Sequence, residues 1–173
     1  VAAGAGGHAG QLSPLALIGE IREWFIGPLL LSGAISTGQS VLAAQAMGAD
    51  LAYIGTPFIA TEEANAVEGY KQMIAQASAD DIVYSSLFTG VHGNYLKPSI
   101  ANAGMDPDNL PQSDPSAMDF SDKRNRPKSW KDIWGAGQGI GAIKELVSTQ
   151  KRVDQLYQEY NRALETLWAK LNG

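Results

Sequence analysis

The chain has 173 residues, 45% of them hydrophobic, with 13 basic and 18 acidic side chains and a net charge of −5. That is enough apolar material for the core of one ordinary domain. The acidic balance, with a single basic run at Lys123-Arg124-Asn125-Arg126-Pro127-Lys128, excludes a nucleic-acid partner, which needs phosphate-neutralising cations gathered on one face. There is no cysteine, so disulfides, thiolate nucleophiles and Cys-type zinc sites are excluded, and with two histidines and no suitably spaced carboxylates no metal site is expected. No apolar run reaches the roughly 18 residues of a membrane span, and no charged flank of a signal peptide is present. A cytoplasmic protein without a membrane partner is the expectation.

The first ten residues, Val1-Ala2-Ala3-Gly4-Ala5-Gly6-Gly7-His8-Ala9-Gly10, place a lone histidine in a glycine-rich turn. Glycine admits close approach of backbone to a ligand, and imidazole carries protons near neutral pH, so the pairing reads as a reactive site. The small apolar start, without Met, looks like a strand entered halfway and marks the chain as a piece of a larger protein.

Residues 1–61 repeat strand, glycine turn and helix, the pattern of βαβ units with a parallel sheet. Ser13 and Pro14 supply a helix cap and first position, and Leu15, Ile18, Ile21 and Phe25 carry the helical period to Gly27. The apolar run 28–32 predicts a strand buried on both faces, followed at once by Gly33. A helix from Thr37 to Met47 is expected to stop at Gly48, and a strand over 51–54 to close at Gly55. Thr61-Glu62-Glu63 then predicts a helix running to Ala77, with its acidic first turn facing the positive end of the dipole.

From Asp80 the texture changes. Residues 82–88 read as a strand or extended edge, and 90–128 are proline-punctuated and without sustained period, as expected for a lid or wrapping arm. Ile140, Ile143, Leu146 and Val147, then Val153, Leu156, Tyr160, Leu164, Leu167 and Leu171, predict two terminal helices. The expected organisation is therefore βα units over 1–78, a loop-rich segment over 79–138 and C-terminal helices over 139–173.

Two turns, Gly33-Ala34 and Gly55-Thr56, follow consecutive strands and lead into helices, an arrangement that aims backbone N–H groups at a phosphate. Small residues are also what any parallel α/β protein needs where strands turn into helices, and the pattern alone leaves both readings open. Gly4-x-Gly6-x-x-Ala9 and Gly137-x-Gly139-x-x-Ala142 fit a loose dinucleotide fingerprint, but neither has the strand and the acidic residue that such a site requires. No serine lies in a nucleophile elbow. His92, within Gly90-Val91-His92-Gly93-Asn94-Tyr95, reads as exposed or structural. Trp24, Trp130, Trp134 and Trp168 read as packing residues, with Trp134 able to border a site because Gly135-Ala136-Gly137-Gln138-Gly139 follows it.

Taken in order, Ala5-Gly6-Gly7-His8-Ala9-Gly10, Pro28-Leu29-Leu30-Leu31-Ser32-Gly33-Ala34-Ile35 and Met47-Gly48-Ala49-Asp50-Leu51-Ala52-Tyr53-Ile54-Gly55-Thr56-Pro57-Phe58 resemble the C-terminal half of the nitronate monooxygenase family, once called 2-nitropropane dioxygenases. Thr89-Gly90 and Trp134-Gly135-Ala136-Gly137-Gln138-Gly139 resemble its bacterial branch. The resemblance implies an α/β fold, the C-terminal portion of an FMN-binding (β/α)8 TIM barrel with added C-terminal helices, entered at the end of strand 6. It implies His8 as the catalytic residue, acting as base or as hydrogen-bond donor to an anionic nitronate. It implies Gly33, Ala34, Gly55 and Thr56 as holders of the FMN phosphate, and Gly6 and Gly7 as the loop passing close to the flavin. The implied reactants are a small-molecule nitronate or nitroalkane and dioxygen. FMN-dependent NAD(P)H oxidoreductases of the same fold, the enoyl-acyl-carrier and quinone reductases, share the Gly-Gly-His turn and are the alternative. A complete barrel takes about 250 residues, so a further reading is a non-catalytic half-barrel that pairs with its missing N-terminal half or with a second copy.

Overall fold

The computed structural model describes residues 1–111 and 131–173. In chain order these form β1 (Gly7–His8), α1 (Pro14–Arg22), β2 (Leu30–Ser32), α2 (Gly38–Ala46), β3 (Leu51–Tyr53), α3 (Thr56–Ile59), α4 (Glu68–Gln76), β4 (Ile82–Ser85), β5 (Gly93–Leu96), α5 (Lys97–Asn102) and α6 (Thr149–Asn172), with 3-10 turns at Ala79–Asp81 and Gln138–Ala142.

The first half follows the local signals. The hydroxyl of Ser13 accepts the Ala16 N–H ahead of Pro14, and Thr37 and Ser40 form a reciprocal capping box at the start of α2. Gly48 ends that helix at a φ of +107°, where an L side chain is strained. β2 and β3 pair in parallel, with Leu30, Leu31 and Ser32 opposite Leu51, Ala52 and Tyr53. The helix α1 stops at Arg22, short of Gly27, for a tertiary reason: the Arg22 guanidinium donates to the carbonyls of Phe25, Gly27 and Gly48 and pairs with Asp50 at 2.7 Å. Asp50 also accepts the Leu29 N–H, so one ion pair sets the entry to both parallel strands.

Several expectations are corrected. The parallel strands are covered on one face, not two. Leu31 packs with Ile18 and Ala44 beneath α1 and α2, while on the other face Leu30, Leu51 and Tyr53 are 50%, 56% and 66% exposed. The helix expected from Thr61 to Ala77 is α4 alone, from Glu68. Thr61 is instead buried in a bridge to Val147, and the Glu63 carboxylate accepts the N–H and hydroxyl of Thr149 at 2.8 and 2.9 Å. An acidic side chain does serve a helix N-terminus, but that of α6.

Beyond Gly90 the chain is also more regular than its composition suggests. β5 is buried at all four residues and is the centre of an antiparallel sheet ordered β1-β5-β4, and α5 follows it directly. Gly7 and His8 face Asn94 and Gly93, while Ile82 through Ser85 face Leu96 through Gly93. The remainder of the expected lid, including the Lys123 to Lys128 run and Trp130, lies outside the described residues.

Of the two terminal helices only the second forms, as α6 with 24 residues. Ile140, Ile143 and Val147 are buried, but the first two belong to the 3-10 turn and the extended residue after it, in a core with Ile74 and Leu96. Burial rather than helicity produced their spacing. Trp24 and Trp168 are 74% and 68% exposed and do not pack as expected. Among the described residues no helix is long and apolar enough to cross a membrane, and no group of three His, Asp or Glu is gathered for a metal ion.

Candidate functional site

Beyond the C-terminal ends of β2 and β3 lies a cavity of about 400 Å³. Ligands of parallel α/β proteins bind at this end of the strands, where the loops into the next helices converge. The cavity is walled by the turn after β2 through Gly33, Ala34 and Ser36, by the turn after β3 through Gly55 and Thr56, and by Gly6, Gly7 and His8 from the other sheet. The seven residues singled out from the sequence thus share one cavity.

Their backbones divide the work unevenly. Gly33 has a φ of +141° and Ala34 a φ of +55°, a left-handed conformation that a non-glycine residue adopts at a cost. The Ala34 N–H donates to Gly4 O at 3.2 Å and is engaged within the protein, not offered to a phosphate. Gly55 is different: a Cβ built there meets nothing within 4 Å, so its bare backbone borders open space. At Gly6 a Cβ would strike the backbone nitrogen of Gly137 at 2.8 Å, and the glycine is required by packing against the 135–139 loop. Thr56 is buried, and its hydroxyl accepts the Gly137 N–H at 3.0 Å, tying the same loop to the turn after β3.

His8 is exposed at the cavity wall. Its Nε2 lies 2.9 Å from Thr89 Oγ1, and the backbone beside it is held by Tyr84, whose hydroxyl donates to Ala9 O. His92 lies outside this cavity, stacked on Tyr84 with ring centroids 5.0 Å apart.

Among the lining residues not singled out from the sequence are Tyr53, Ile59 and Tyr70. Tyr70 sits on α4 and donates its hydroxyl to Gly135 O, and its ring stacks on Trp134 at 5.1 Å. Burial pushes the Tyr70 phenol up to about 12, so it stays protonated at neutral pH and keeps the loop pinned. Trp134 backs this tyrosine and does not itself line the cavity, although Gly135 and Gly137 after it do. The glycine-rich run after Trp134 was the one available signal for that wall.

A family model described as nitronate monooxygenase matches residues 2–159. The chain belongs to the nitronate monooxygenase family. It is 27% identical to a nitronate monooxygenase of Paraburkholderia phytofirmans, over 94% of this chain and 48% of that protein. It is 29% identical to a probable nitronate monooxygenase of Bacillus subtilis, over 90% of this chain and 49% of that protein. Among solved structures, FabK from Thermotoga maritima has a TM-score of 0.73 at 21% identity, covering 97% of this chain and 56% of that one. The nitroalkane oxidase from Streptomyces ansochromogenes has a TM-score of 0.68 at 22% identity, covering 95% and 52%. At these identities the two structures show a shared fold. The chain spans about half the length of the curated relatives it matches.

Proposed function

We propose that this chain supplies the C-terminal part of an FMN-binding (β/α)8 barrel whose reaction is the oxidation of alkyl nitronates by dioxygen. The observation that carries the proposal is the single cavity that joins His8 to the glycine turns after two neighbouring parallel strands. The barrel reading is supported by a third segment beside them. Ala2 N–H donates to Ser32 O and Ala34 N–H to Gly4 O, so residues 1–4 run alongside the end of β2 in the same direction. It is supported too by the open face of Leu30, Leu51 and Tyr53, which lies where further strands of a barrel would close over an interior.

The cavity residues fit a flavin nucleotide. Gly55 leaves room for close approach of a phosphate, Gly33 provides the turn after the neighbouring strand, and the apolar wall at Ile59 suits a flat ring system. FMN, when bound, accepts the electrons of the substrate and passes them to dioxygen. The chain's own contribution is to hold the phosphate near Gly33, Gly55 and Thr56 and to present His8 to the substrate. For a neutral nitroalkane His8 removes the α-proton; for a nitronate, already deprotonated, it orients the anion.

The test is flavin retention in the full-length protein. After reconstitution with FMN, the wild type should keep stoichiometric flavin through gel filtration, whereas Gly55→Val should lose it while retaining its circular dichroism spectrum. Failure of the wild type to hold FMN would refute the proposal.

A further inference from the structure

We infer that Thr89 is a positioning residue for His8: its hydroxyl holds the neutral imidazole as the Nε2–H tautomer and so makes Nδ1 the nitrogen that takes up a proton. The structural half of this inference stands on hydrogen-bond geometry alone. Its catalytic consequence rests on the reading of His8 as the base for nitroalkanes.

A hydroxyl has one proton to donate and two lone pairs to accept with. Thr89 Oγ1 lies 3.0 Å from Val91 O, and a carbonyl oxygen only accepts, so that contact exists only if Thr89 spends its single proton there. Whatever else bonds to Oγ1 must then donate, and its two lone pairs accept at most two of the three groups that remain. The Val91 N–H and the Tyr95 hydroxyl both approach at 3.4 Å, the latter from a fully buried side chain. The shortest partner is His8 Nε2 at 2.9 Å, and by the same count it carries a hydrogen. The tautomer of a histidine is set by the bond that one of its nitrogens makes, and here that bond assigns the lone pair of the neutral ring to Nδ1. Protonation of the ring leaves the Nε2–H donation in place.

The hydroxyl is held where it acts. Thr89 lies between β4 and β5 in a turn closed by the Gly90 N–H donating to Ser86 O at 2.8 Å, with Gly90 at a φ of +77°. The preceding Phe88 packs edge-on against Tyr95 at 4.9 Å, which anchors the turn to the buried strand. On the far side of His8 the Ala9 N–H donates to His92 O, so both flanks of the histidine are fastened to the same loop. In a nitroalkane reaction the α-proton passes to Nδ1 and the electron pair of the broken C–H bond remains in the nitronate. Thr89 touches neither reactant and acts only through the ring.

The experiment is long-range ¹H–¹⁵N correlation NMR on the histidine-labelled protein. The chain has two histidines, so a His92→Gln sample assigns the His8 signals. The wild type at a pH above the imidazole titration should show a protonated-type Nε2 and a pyridine-type Nδ1. Thr89→Val, which keeps the shape but neither donates nor accepts, should give a mixture of tautomers, and Thr89→Ser should restore the wild-type pattern. A wild-type His8 carrying its proton on Nδ1 would overturn the inference with no variant needed, and so would a tautomer unmoved in a folded Thr89→Val. In the flavin-loaded full-length enzyme, Thr89→Val should slow kcat for neutral nitroalkanes about tenfold, the scale of one lost hydrogen bond, with KM and nitronate turnover little changed. A tautomer that follows Thr89, together with equal losses on both substrates, would refute the base reading of His8 and leave the control of its ring by Thr89 standing.

Discussion

The two sheets of this protein answer the same need, burial of apolar strand faces, in opposite ways. The antiparallel sheet is complete within the chain: β5 has a neighbour on each side, and Asn94, Tyr95 and Leu96 are between 0 and 2% exposed. The parallel pair is closed by α1 and α2 on one face and open on the other, where Leu51 and Tyr53 are more than half exposed. β5 is buried on both faces by its own chain, whereas β2 and β3 carry a bare apolar face. The residues of the candidate site divide along the same line, with His8 on the antiparallel sheet and the turns at Gly33 and Gly55 after the parallel strands.

The sharpest way to separate the two contributions is through turnover and cofactor together. In the full-length enzyme His8→Asn should slow nitroalkane oxidation by about 10²–10⁴-fold, as for loss of a general base, while FMN remains bound. Steady-state kinetics with a nitroalkane and with its nitronate, beside flavin absorbance, would show this; loss of FMN from His8→Asn would erase the proposed division of labour.

The open face can be tested by stability. Leu31→Ala, on the covered side of β2, should cost about 2–5 kcal/mol in urea unfolding, the range for a buried leucine. Leu51→Ala, facing the open side one strand away, should change stability by no more than about 0.5 kcal/mol in this chain. Equal costs would mean that the face is covered in solution, and gel filtration would then reveal the partner.

On the antiparallel sheet, Asn94 donates its buried amide to Ala5 O at 2.7 Å and so fastens the His8 segment to β5. Asn94→Ala leaves that carbonyl without its partner and should cost about 1–3 kcal/mol by the same denaturation measurement. No change would show that the β1–β5 pairing is held by backbone alone.

The smallest expected effect is on pH dependence. The Thr149 N–H, followed by lesser hydrogen bonds, holds the Glu63 carboxyl below its ordinary value of 4.5. The unfolded chain therefore takes up this proton at a higher pH than the folded one. The contribution to stability is complete above 4.5 and is lost as pH falls through the lowered folded value. Glu63→Gln should flatten that part of the acid limb in a series of Tm values, and an unchanged limb would remove Glu63 from the start of α6.

Much of the open half was legible in the residues, because its determinants are local. Ser13 ahead of Pro14, Thr37 three residues before Ser40 and the glycines after two apolar runs all act within a turn or two of their own position. The closed half was not legible to the same degree. β5 begins with a glycine and an asparagine and follows Gly90 by three residues, a composition that reads as loop, yet Gly93 is where β1 and β5 come too close for a side chain: a Cβ there would lie 2.7 Å from Gly7 O. The same approach puts the two strands in register at His8.

What the sequence determined by itself, then, is the set of capped helices, the parallel pairing of β2 with β3 and the candidate residues of the site, since periodicity, caps and glycine turns are encoded over a few positions. What only the tertiary structure decided is how those residues are oriented and shared. Thr89 reaches His8 across 81 positions of chain, and Glu63 leaves the helix expected beside it to serve one 86 positions on. Such bonds carry no local signature, because a hydroxyl or carboxylate is satisfied by whichever donor the packed core brings within reach, and the core is assembled from every segment at once.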